Sequence, residues 1–435
     1  MNHYSRRRFI QTGLTGIAAL SVLPYLKACS GSVNDTIRLG FIGLGRQSVF
    51  LSNGFNKIPG VKIVAGCDVY AVKRQRFEQN IRKRQEAKGE QPEVTTFHNY
   101  QELLSRKDID AVVIATPDHW HAIQTIDACK AGKHIYLEKP TTFTIEEGKR
   151  VVEAVRKNNI LCAVGSQQRS DENFQHAIKM VREGKIGDLK RISAYVGPPP
   201  KPYDLPMETI PTDLDWNEWL GPNPYVHYNP RLNPPISLIP EQNETFWAEW
   251  RYYKEVGGGF LCDWGAHNFD IGQWALDKDH SGPVEVIPAG FDGHEHITFL
   301  YDNGIVMVNE PIDEKNSFGV RFWSDDAWIE VRRGHYKASD DSLLPPPKED
   351  TGDAVPYETA TPHLIDFITA LRENRDPFVP IEAGHRTATL GILGNIATDF
   401  ARPLKWNPQT ESFINDTEAA KCLHRQYREG YSLRS

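Results

Sequence analysis

The chain has 435 residues, of which 25% are charged and 40% hydrophobic, and its 50 basic residues face 57 acidic ones for a net charge of −7. These values are those of an ordinary globular chain of about two domains, so they exclude a disordered, collagen-like or disulfide-stapled protein. Without a basic excess, nucleic acid is not an expected partner. The six cysteines have no metal-type spacing and are too sparse for a disulfide framework, so we expect them to stay unpaired.

Residues 1–29 have the features of an export signal. The stretch Ser5-Arg6-Arg7-Arg8-Phe9-Ile10 is followed by uncharged residues from Gly13 to Leu26, in the order typical of a twin-arginine signal. Those residues are too few for a membrane-spanning helix, which needs about twenty. Leu26-Lys27-Ala28-Cys29 resembles a lipobox, so we expect a periplasmic protein that a lipid on Cys29 could anchor to the membrane. The alternative is a disordered basic tail on a cytoplasmic enzyme.

After a linker over 30–35, apolar runs alternate with helical stretches from Thr36 onward. This alternation predicts an α/β domain over 36–164, a Rossmann domain with a doubly wound parallel sheet. The predicted strands are Ile37–Ile42, Val61–Cys67, Ala111–Ala115, His134–Leu137 and Ile160–Val164. The predicted helices are Gln101–Ser105, Ala122–Lys130 and Ile145–Lys157.

Beyond the Rossmann domain the pattern changes, which predicts a second domain over 165–435 of the α+β class with a large, mainly antiparallel open sheet. Twelve of the 29 prolines lie between Pro198 and Pro240, so we expect the segment 197–256 to wrap the surface or line a cleft. Asp302-Asn303-Gly304 between two apolar runs predicts a β-hairpin. The other predicted elements are the helices Asn173–Glu183, Thr361–Arg372 and Ala383–Phe400 and the strands Lys190–Val196, His296–Tyr301, Ile305–Asn309, Gly319–Trp323 and Trp328–Arg332.

Gly43-Leu44-Gly45-Arg46-Gln47-Ser48 follows the first strand directly and opens a helix, which is where a dinucleotide-binding turn belongs. We predict that its two glycines, with Arg46 and Gln47, bind the cofactor. Asp68 ends the second strand, where its carboxylate would accept hydrogen bonds from the ribose hydroxyls and repel a 2′-phosphate. NAD is therefore favoured over NADP. The nearby Lys73, Arg74 and Arg76 could compensate a 2′-phosphate, which keeps NADP open.

Three further motifs carry candidate chemistry: Ala115-Thr116-Pro117 with His121, Glu138-Lys139-Pro140, and Gly257-Gly258-Gly259-x-x-x-Asp263-x-x-x-His267-x-x-Asp270. In order and approximate spacing, together with the glycine turn, they resemble the Gfo/Idh/MocA family, the oxidoreductases related to glucose–fructose oxidoreductase and inositol dehydrogenase. The resemblance implies a nicotinamide cofactor and a homo-oligomer, either a dimer or a tetramer. The residues that we expect to contact the cofactor, besides the turn and Asp68, are Thr116, Pro117, His121, Glu138, Lys139 and Gln168.

Asp263 and His267 are four residues apart, so one helical face would present both, with Asp270 one turn further along. Oxidation of a secondary alcohol needs a group that takes the hydroxyl proton and a positive group that stabilises the developing alkoxide. His267 suits the proton transfer, Lys139 suits the alkoxide, and Asp263 would orient the substrate or share the proton. The resemblance implies the same catalytic residues. Taken alone, an Asp and a His at this spacing are most often a pair on a helix surface.

Several other candidates have two interpretations. His119 and His121 could be metal ligands, but no carboxylate or thiol stands at zinc-like spacing, so we expect no metal site. Four tryptophans in or beside the proline-rich segment could stack on a sugar or pack between the domains. They are Trp216, Trp219, Trp247 and Trp250. The candidate substrate contacts, besides Asp263 and His267, are Arg169, Trp250, Arg251 and Tyr253.

The sequence therefore predicts an NAD(P)-dependent oxidoreductase that acts on a secondary alcohol of a sugar, a sugar derivative or a polyol. No nicotinamide pool is expected outside the cytoplasm, so export implies that NAD is loaded first and stays tightly bound. The alternative is a glycoside hydrolase without net redox, in which bound NAD serves a 3-keto intermediate of the substrate. A second alternative is a sugar-binding lipoprotein without catalysis, which the intact Lys139, Asp263 and His267 argue against.

Overall fold

The computed structural model describes residues 36–234, 248–347 and 360–433. The predicted export signal with Cys29, the linker over 30–35 and Trp247 lie outside these residues. Among the residues described, no helix has the length and the apolar composition that crossing a membrane requires. Every cysteine in the same part of the chain is a free thiol.

The first sheet and its helices occupy the N-terminal part of the compact unit that begins at Ile37. The strands are β1 (Ile37–Ile42), β2 (Val61–Cys67), β3 (Thr95–Phe97), β4 (Ala111–Ile114), β5 (His134–Leu137) and β6 (Cys162–Val164). The helices are α1 (Arg46–Asn56), α2 (Ala71–Ala87), α3 (Tyr100–Ser105), α4 (Asp118–Lys130) and α5 (Ile145–Lys157). Within the described residues the strands are all parallel, in the order β3-β2-β1-β4-β5-β6. The order reverses between β1 and β4, which confirms the predicted doubly wound sheet.

The register of the strands brings their carboxyl ends to one edge of this sheet. Ile42 pairs with Cys67 on one side and with Ile114 on the other, and Ile114 pairs with Leu137. The segments that follow these strands therefore meet at the same edge, where open α/β sheets bind their ligands. Those segments begin with Gly43, Asp68, Ala115 and Glu138.

Two helices of this part differ from the prediction. α2 was not predicted, because its sequence is mostly charged and its apolar anchors in the core are few, chiefly Phe77 and Ile81. α4 begins at Asp118 rather than at the predicted Ala122. The histidines and the tryptophan at 119–121 are buried. Tertiary contacts therefore extend this helix beyond its apolar periodicity.

The second sheet consists of β7 (Arg191–Tyr195), β8 (Glu285–Ile287), β9 (Thr298–Leu300), β10 (Val306–Val308), β11 (Gly319–Trp323), β12 (Trp328–Arg332), β13 (His335–Ala338), β14 (Leu404–Asn407) and β15 (Ser412–Phe413). In the described part of the chain their order is β13-β12-β11-β7-β10-β9-β8-β14-β15. The β7–β10 pair is parallel, and the other paired neighbours are antiparallel. The predicted, mainly antiparallel sheet is thus confirmed. Asp302-Asn303-Gly304 forms the predicted hairpin turn between β9 and β10.

The helices of the second part are α6 (Glu172–Arg182), α7 (Trp216–Leu220), α8 (Gly259–Asp263), α9 (Gly265–Ala275), α10 (Ala360–Glu373), α11 (Ile381–Phe400) and α12 (Thr417–Ala420). Residues of α6, α9 and α11 share one hydrophobic core with the second sheet. In this core, Phe269 of α9 packs edge to face against Phe299 of β9, with ring centroids 5.2 Å apart. α10 packs on the first sheet instead, where Phe367 contacts Phe55 and Tyr136.

The described part of the proline-rich segment is largely irregular and contains α7. Trp216 and Trp219 stack with their ring centroids 4.5 Å apart, and both are buried with Trp250 in one aromatic cluster. Packing rather than sugar stacking therefore accounts for these three tryptophans. The segment also contacts the connection after β2, where the Ala71 nitrogen donates to the Asp213 carbonyl oxygen at 2.9 Å.

Two glycines of α11 provide a paired test of the packing that supports α8. A Cβ at Gly391 would lie 2.5 Å from the backbone oxygen of Leu261, whereas a Cβ at Gly394 would meet only side chains, the nearest at 3.3 Å. Gly391→Ala should lower the free energy of unfolding by about 1–3 kcal/mol, because the Leu261 backbone can move away from the new methyl group only if the packing around it is distorted. Gly394→Ala should be neutral or stabilise by up to about 1 kcal/mol, since alanine favours a helix. Urea unfolding measures both, and equal stabilities of the two variants would contradict the close approach.

Candidate active site

The turn between β1 and α1 leaves room for a ligand. Gly43 has a φ of +86°, and a Cβ there would lie 2.6 Å from the Thr116 nitrogen, so glycine is required. Gly45 precedes α1 without a side-chain cap, and a Cβ there would meet none of the described atoms within 4 Å. The first N–H groups of α1 thus begin beside open space, which suits a pyrophosphate. These residues fit a dinucleotide.

Asp68 joins this turn to the end of β2. Its carboxylate accepts hydrogen bonds from the Leu44 nitrogen at 2.8 Å and from the Tyr70 nitrogen at 2.9 Å. A carboxylate has about four acceptor sites. Two of them remain beyond these two bonds, and they can accept hydrogen bonds from ribose hydroxyls.

Three cations follow Asp68 in the chain, and each donates to a protein oxygen. The Lys73 ammonium donates to Asn233 Oδ1 at 2.7 Å. Arg74 donates to the carbonyl oxygen of Asp68 at 2.6 Å, and Arg76 donates to the carbonyl oxygen of Leu44 at 3.2 Å. The two guanidinium groups therefore support the backbone on both sides of the Asp68 carboxylate.

His121 ties together the loops that follow β4 and β5. Its Nδ1 lies 2.7 Å from the Pro140 carbonyl oxygen, and its Nε2 lies 2.9 Å from the Thr116 carbonyl oxygen. Burial lowers the pKa of His121 to about 4. Both ring nitrogens face backbone oxygens, so His121 supports the loops and presents no ring nitrogen to a cofactor. His119 is likewise buried between two carbonyl oxygens. Among the described residues, no group of three or more His, Cys, Asp or Glu side chains is arranged to hold a metal ion.

Glu138 connects the end of β5 to the glycine turn. Its carboxylate accepts hydrogen bonds from Gln47 Nε2 at 2.9 Å and from the Lys139 nitrogen at 3.2 Å. Burial raises the pKa of Glu138, and the positive charge of Lys139 opposes that rise. A Cβ at Gly165 would lie 2.9 Å from the Glu138 carboxyl group. Glu138 and Gln47 therefore join the two loops that flank the predicted cofactor site.

A buried ion pair connects the first sheet to α8. Lys139 Nζ donates to Asp263 Oδ1 at 2.7 Å and to the Asp263 carbonyl oxygen at 3.1 Å. Arg251 Nε approaches the same Oδ1 at 3.3 Å. Burial by itself would raise the pKa of the Asp263 carboxyl, but the positive charges of Lys139 and Arg251 outweigh burial and lower it. Asp263 is therefore an anion that holds two cations side by side.

The helix predicted to run through Asp263, His267 and Asp270 is interrupted. α8 ends at Asp263 and α9 begins at Gly265, so two short helices are joined at Trp264. Glycines before and within this stretch weaken a continuous helix, because glycine is a poor helix former. Asp263 and His267 nevertheless lie close to the same cations. We call these side chains the charged cluster: Lys139, Arg251, Asp263 and His267. The Asp270 carboxylate lies instead in the core.

His267 lies beside the ion pair. Its Nε2 accepts a hydrogen bond from Arg333 Nη2 at 3.0 Å. Burial, and then the positive charges of Lys139 and Arg333, bring the pKa of His267 well below its usual value. The ring is therefore neutral near pH 7. The structure thus brings together Lys139, Asp263 and His267, the three residues predicted to be catalytic.

Arg169 does not have the environment of a substrate contact, contrary to the prediction. Its guanidinium forms one bidentate pair with Asp270, at 2.7 and 2.8 Å, and a second with Asp279, at 2.8 Å. Only 1% of its side chain is exposed. The Thr387 hydroxyl also donates to Asp270, at 2.8 Å. This network joins the turn after β6 to α9 and α11, so Arg169 and Asp270 support the structure.

The other predicted substrate contacts lie in two different clusters. Arg251 belongs to the charged cluster, but Trp250 and Tyr253 are buried in the aromatic cluster of the proline-rich segment. Gln168, predicted to contact the cofactor, lies on the His267 side of the site, where its Oε1 accepts a hydrogen bond from Arg333 Nε at 3.1 Å.

Two residues beside the charged cluster were missed from the sequence. Asp118 is the first residue of α4 and is 5% exposed. Burial raises its pKa to about 7, although the positive charges of Arg251 and Lys139 oppose the rise. The sequence feature that could have identified Asp118 as a site residue is its position directly after the Thr116-Pro117 motif. Arg333 lies in the turn between β12 and β13, and nothing in its local sequence points to the site.

The glycine turn, the carboxyl-edge residues and the charged cluster together define a class of two-part oxidoreductases with a dinucleotide site. Two family models support this. Residues 37–166 match the Gfo/Idh/MocA model for the NAD-binding Rossmann fold of an oxidoreductase family, and residues 200–433 match the model for its C-terminal alpha/beta domain. The chain belongs to the Gfo/Idh/MocA oxidoreductase family.

Similar proteins fall into two groups. A glycosyl hydrolase family 109 protein of Shewanella baltica is 34% identical over 157 residues, and an alpha-N-acetylgalactosaminidase of Shewanella oneidensis is 32% identical over 157 residues. Each match covers 36% of this chain and 34% of the relative, so the chain matches about a third of the length of these relatives. The WlbA dehydrogenase of Bordetella pertussis, solved with NADH and UDP-GlcNAcA, has the same fold. Its TM-score is 0.59 at 19% identity, covering 87% of this chain and 99% of that chain.

Gly45→Val tests where the pyrophosphate binds. A Cβ at Gly45 would meet none of the described atoms within 4 Å, so the variant should fold. It should lose at most about 1–2 kcal/mol of unfolding free energy, because Gly45 is the N-cap of α1 and valine is a poorer N-cap than glycine. The valine would fill the space beside the start of α1, so the affinity for NADH should fall by about tenfold or more. Fluorescence titration with NADH measures the affinity. Unchanged NADH binding by the folded variant would mean that the dinucleotide binds elsewhere.

Asp118→Asn tests the unusual carboxyl group. The pKa of Asp118 is about 7 in the folded protein and about 3.9 in an unfolded chain. The folded state therefore holds the proton more tightly, so the stabilisation from protonated Asp118 is complete below about pH 4 and is lost as the pH rises through about 7. Asparagine is neutral throughout. From pH 5 to pH 8, the variant should gain roughly 2–3 kcal/mol of unfolding free energy relative to the wild type. A pH-independent difference in urea unfolding would contradict the raised pKa.

Proposed function

We propose that the protein oxidises a secondary hydroxyl group of a sugar or sugar derivative, using a bound nicotinamide dinucleotide. The observation that carries the proposal is the cluster of Lys139, Asp263 and His267 beside the carboxyl edge of the first sheet. Alcohol oxidation needs a positive group at the developing alkoxide and a neutral base for the hydroxyl proton, and the cluster supplies both. The common fold with a dehydrogenase solved with NADH and UDP-GlcNAcA supports the choice of substrate class.

Each residue of the site would have a distinct role. Gly43, Gly45 and Asp68 would hold the dinucleotide, which when bound accepts the hydrogen and its electron pair from the substrate carbon. Lys139 would stabilise negative charge on the substrate oxygen, and neutral His267 would take the hydroxyl proton. Asp263 would hold the Lys139 ammonium in place beside the substrate, because Lys139 Nζ lies 2.7 Å from Asp263 Oδ1.

We infer NAD rather than NADP, because the Asp68 carboxylate at the end of β2 would repel a 2′-phosphate. The order of residues in 1–29 supports a further part of the proposal, which is export of the folded protein through the twin-arginine route. Export of a folded chain would carry the cofactor with it. The dinucleotide would then have to be reoxidised in the same site, since no nicotinamide pool is expected outside the cytoplasm.

A second candidate is hydrolysis of a glycoside without net redox, which the similarity to an alpha-N-acetylgalactosaminidase favours. Oxidation at C3 would acidify the C2–H bond. A base would remove that proton, the C1–O bond would break, and the leaving oxygen would take a proton. Water would then add its oxygen at C1 while a proton returns to C2. The C3 ketone would recover the hydrogen with its electron pair at carbon and a proton at oxygen. This sequence needs more proton-transfer groups than an oxidation, and Asp118, with a pKa near 7, is such a group beside the cluster.

Product analysis separates the two candidates. The purified full chain is mixed with an N-acetylgalactosaminide that carries a chromogenic leaving group and, separately, with free sugars. The absorbance of reduced nicotinamide and the released products are recorded together. Lasting reduction with an oxidised sugar identifies a dehydrogenase, whereas release of the leaving group without lasting reduction identifies the hydrolase. If a panel of sugars and glycosides gave neither result with dinucleotide bound, the proposed function would be wrong.

His267→Ala and Lys139→Met should each lower kcat/KM by about 100-fold or more, because each removes a group that acts in the transition state. Lys190→Met and His280→Ala are matched controls, since both residues are exposed and lie outside the cluster. Steady-state kinetics on the substrate found above measures the effect. A wild-type rate in His267→Ala would remove His267 from the mechanism.

A further inference from the structure

His267 ends a chain of hydrogen bonds that starts at a backbone carbonyl of β7. The Tyr195 carbonyl oxygen accepts from Asn268 Nδ2 at 2.8 Å, and Asn268 Oδ1 accepts from Gln168 Nε2 at 3.3 Å. Gln168 Oε1 in turn accepts from Arg333 Nε at 3.1 Å, and Arg333 Nη2 donates to His267 Nε2 at 3.0 Å. The chain thus links the second sheet, the turn after β6, the β12–β13 turn and α9.

Each bond in this chain has a defined direction. A carbonyl oxygen only accepts, so Asn268 presents its amide nitrogen to Tyr195 and its oxygen to Gln168. The Gln168 amide must then donate to Asn268 and accept from Arg333. A guanidinium has donors and no acceptor. His267 Nε2 must therefore carry a lone pair, which in a neutral ring places the proton on Nδ1.

Trp264 holds the last two members of the chain in place. The Arg333 guanidinium lies over its ring at 5.1 Å from the centroid, and the His267 ring meets it edge to face at 5.4 Å. A planar guanidinium stacks on an aromatic face in this way, which limits its rotation. The Nη2 donor is therefore aimed at His267 by contacts on two sides.

We propose that Arg333 is a positioning residue that holds His267 in the tautomer with its lone pair on Nε2, the nitrogen that takes the substrate proton. This rests on the proposed function in one respect, namely that His267 is the group that accepts the hydroxyl proton. A hydroxyl group donates to Nε2 just as Arg333 does, so the substrate can replace Nη2 without a change of tautomer. Among the described residues the ring receives its hydrogen bond at Nε2, and the buried Nδ1 has no hydrogen-bond partner.

The charges around His267 also favour a neutral ring. The cations that face it are Lys139, at the end of β5, and Arg333, in the β12–β13 turn. The Asp263 carboxylate, which pairs with Lys139, also pairs with Arg251. Two positive groups disfavour an imidazolium. Without Arg333, the ring should therefore no longer be restricted to the tautomer with its proton on Nδ1, and it should also be easier to protonate.

Nitrogen NMR of histidine-labelled protein distinguishes the two ring tautomers without any substrate. The His267 signals are assigned by their loss in His267→Gln. In the wild type they should show the proton on Nδ1 and a neutral ring near pH 7, because burial and then the positive charges of Lys139 and Arg333 lower the pKa of His267. In Arg333→Ala the other tautomer should appear, and the pKa of His267 should rise by about one unit or more. Arg333→Lys keeps a charged donor and should lie between the two.

Arg332→Ala is the matched control for this experiment. Arg332 ends β12, directly before Arg333, and its guanidinium pairs with Asp313 at 3.3 Å instead of with the site. The ring signals of His267 and the activity should both stay as in the wild type. A change of tautomer in this control equal to that in Arg333→Ala would assign the effect to the turn as a whole and overturn the role of Arg333.

Kinetics supplies the second readout. In Arg333→Ala the acidic limb of the pH profile of kcat/KM should move to higher pH, and kcat should fall by about tenfold with a smaller change in KM. Arg333→Lys should restore part of the rate. A wild-type ring protonated on Nε2, or an unchanged tautomer and pKa in Arg333→Ala, would overturn the proposal. Inactivity of a protein that shows the expected ring signals would instead contradict the proposed function and leave the tautomer role of Arg333 supported.

Discussion

The buried ion pair between Lys139 and Asp263 is the interaction on which the site depends. Moving two charges out of water costs several kcal/mol for each ion, so such a pair persists only where further hydrogen bonds compensate. Here the Asp263 carbonyl oxygen and Arg251 provide them. Lys139 comes from the first sheet and Asp263 from α8, so the pair also sets the position of one part against the other. The same ammonium helps to keep His267 neutral.

A second buried ion pair, between Arg169 and Asp270, shows by contrast what makes the first one suitable for chemistry. Arg169 is saturated by the carboxylates of Asp270 and Asp279 and has only 1% of its side chain exposed. A substrate has no access to it. Lys139 uses two of the three donors of its ammonium on Asp263. Under the proposed function the third would donate to a substrate oxygen, so the first pair would take part in the chemistry whereas the second supports the fold.

Much of the site could be predicted because it lies at the carboxyl edge of a parallel sheet. Each strand there is a local apolar run, and the residue that follows each run reaches the same edge once the register is set. Gly43, Asp68 and Glu138 were found in this way. The prediction failed where burial overrode local pattern. α2 has too few apolar residues to show its period, and the helix through Asp263 and His267 is broken at Trp264.

Local regularities in the chain were enough to specify the doubly wound sheet and the dinucleotide turn, because strand periodicity and turn chemistry are short-range properties. The candidate trio of Lys139, Asp263 and His267 came from motifs far apart in the chain whose order resembles that of the Gfo/Idh/MocA family. Tertiary packing decided which of the remaining polar residues lie in the site and which support the fold. It put Arg169 into the core, placed Asp118 beside the cluster, and brought Arg333 to a histidine 66 positions away in the chain. Ion pairs, tautomers and shifted pKa values depend on which distant groups become neighbours and on how much water they lose, and neither is written in local sequence.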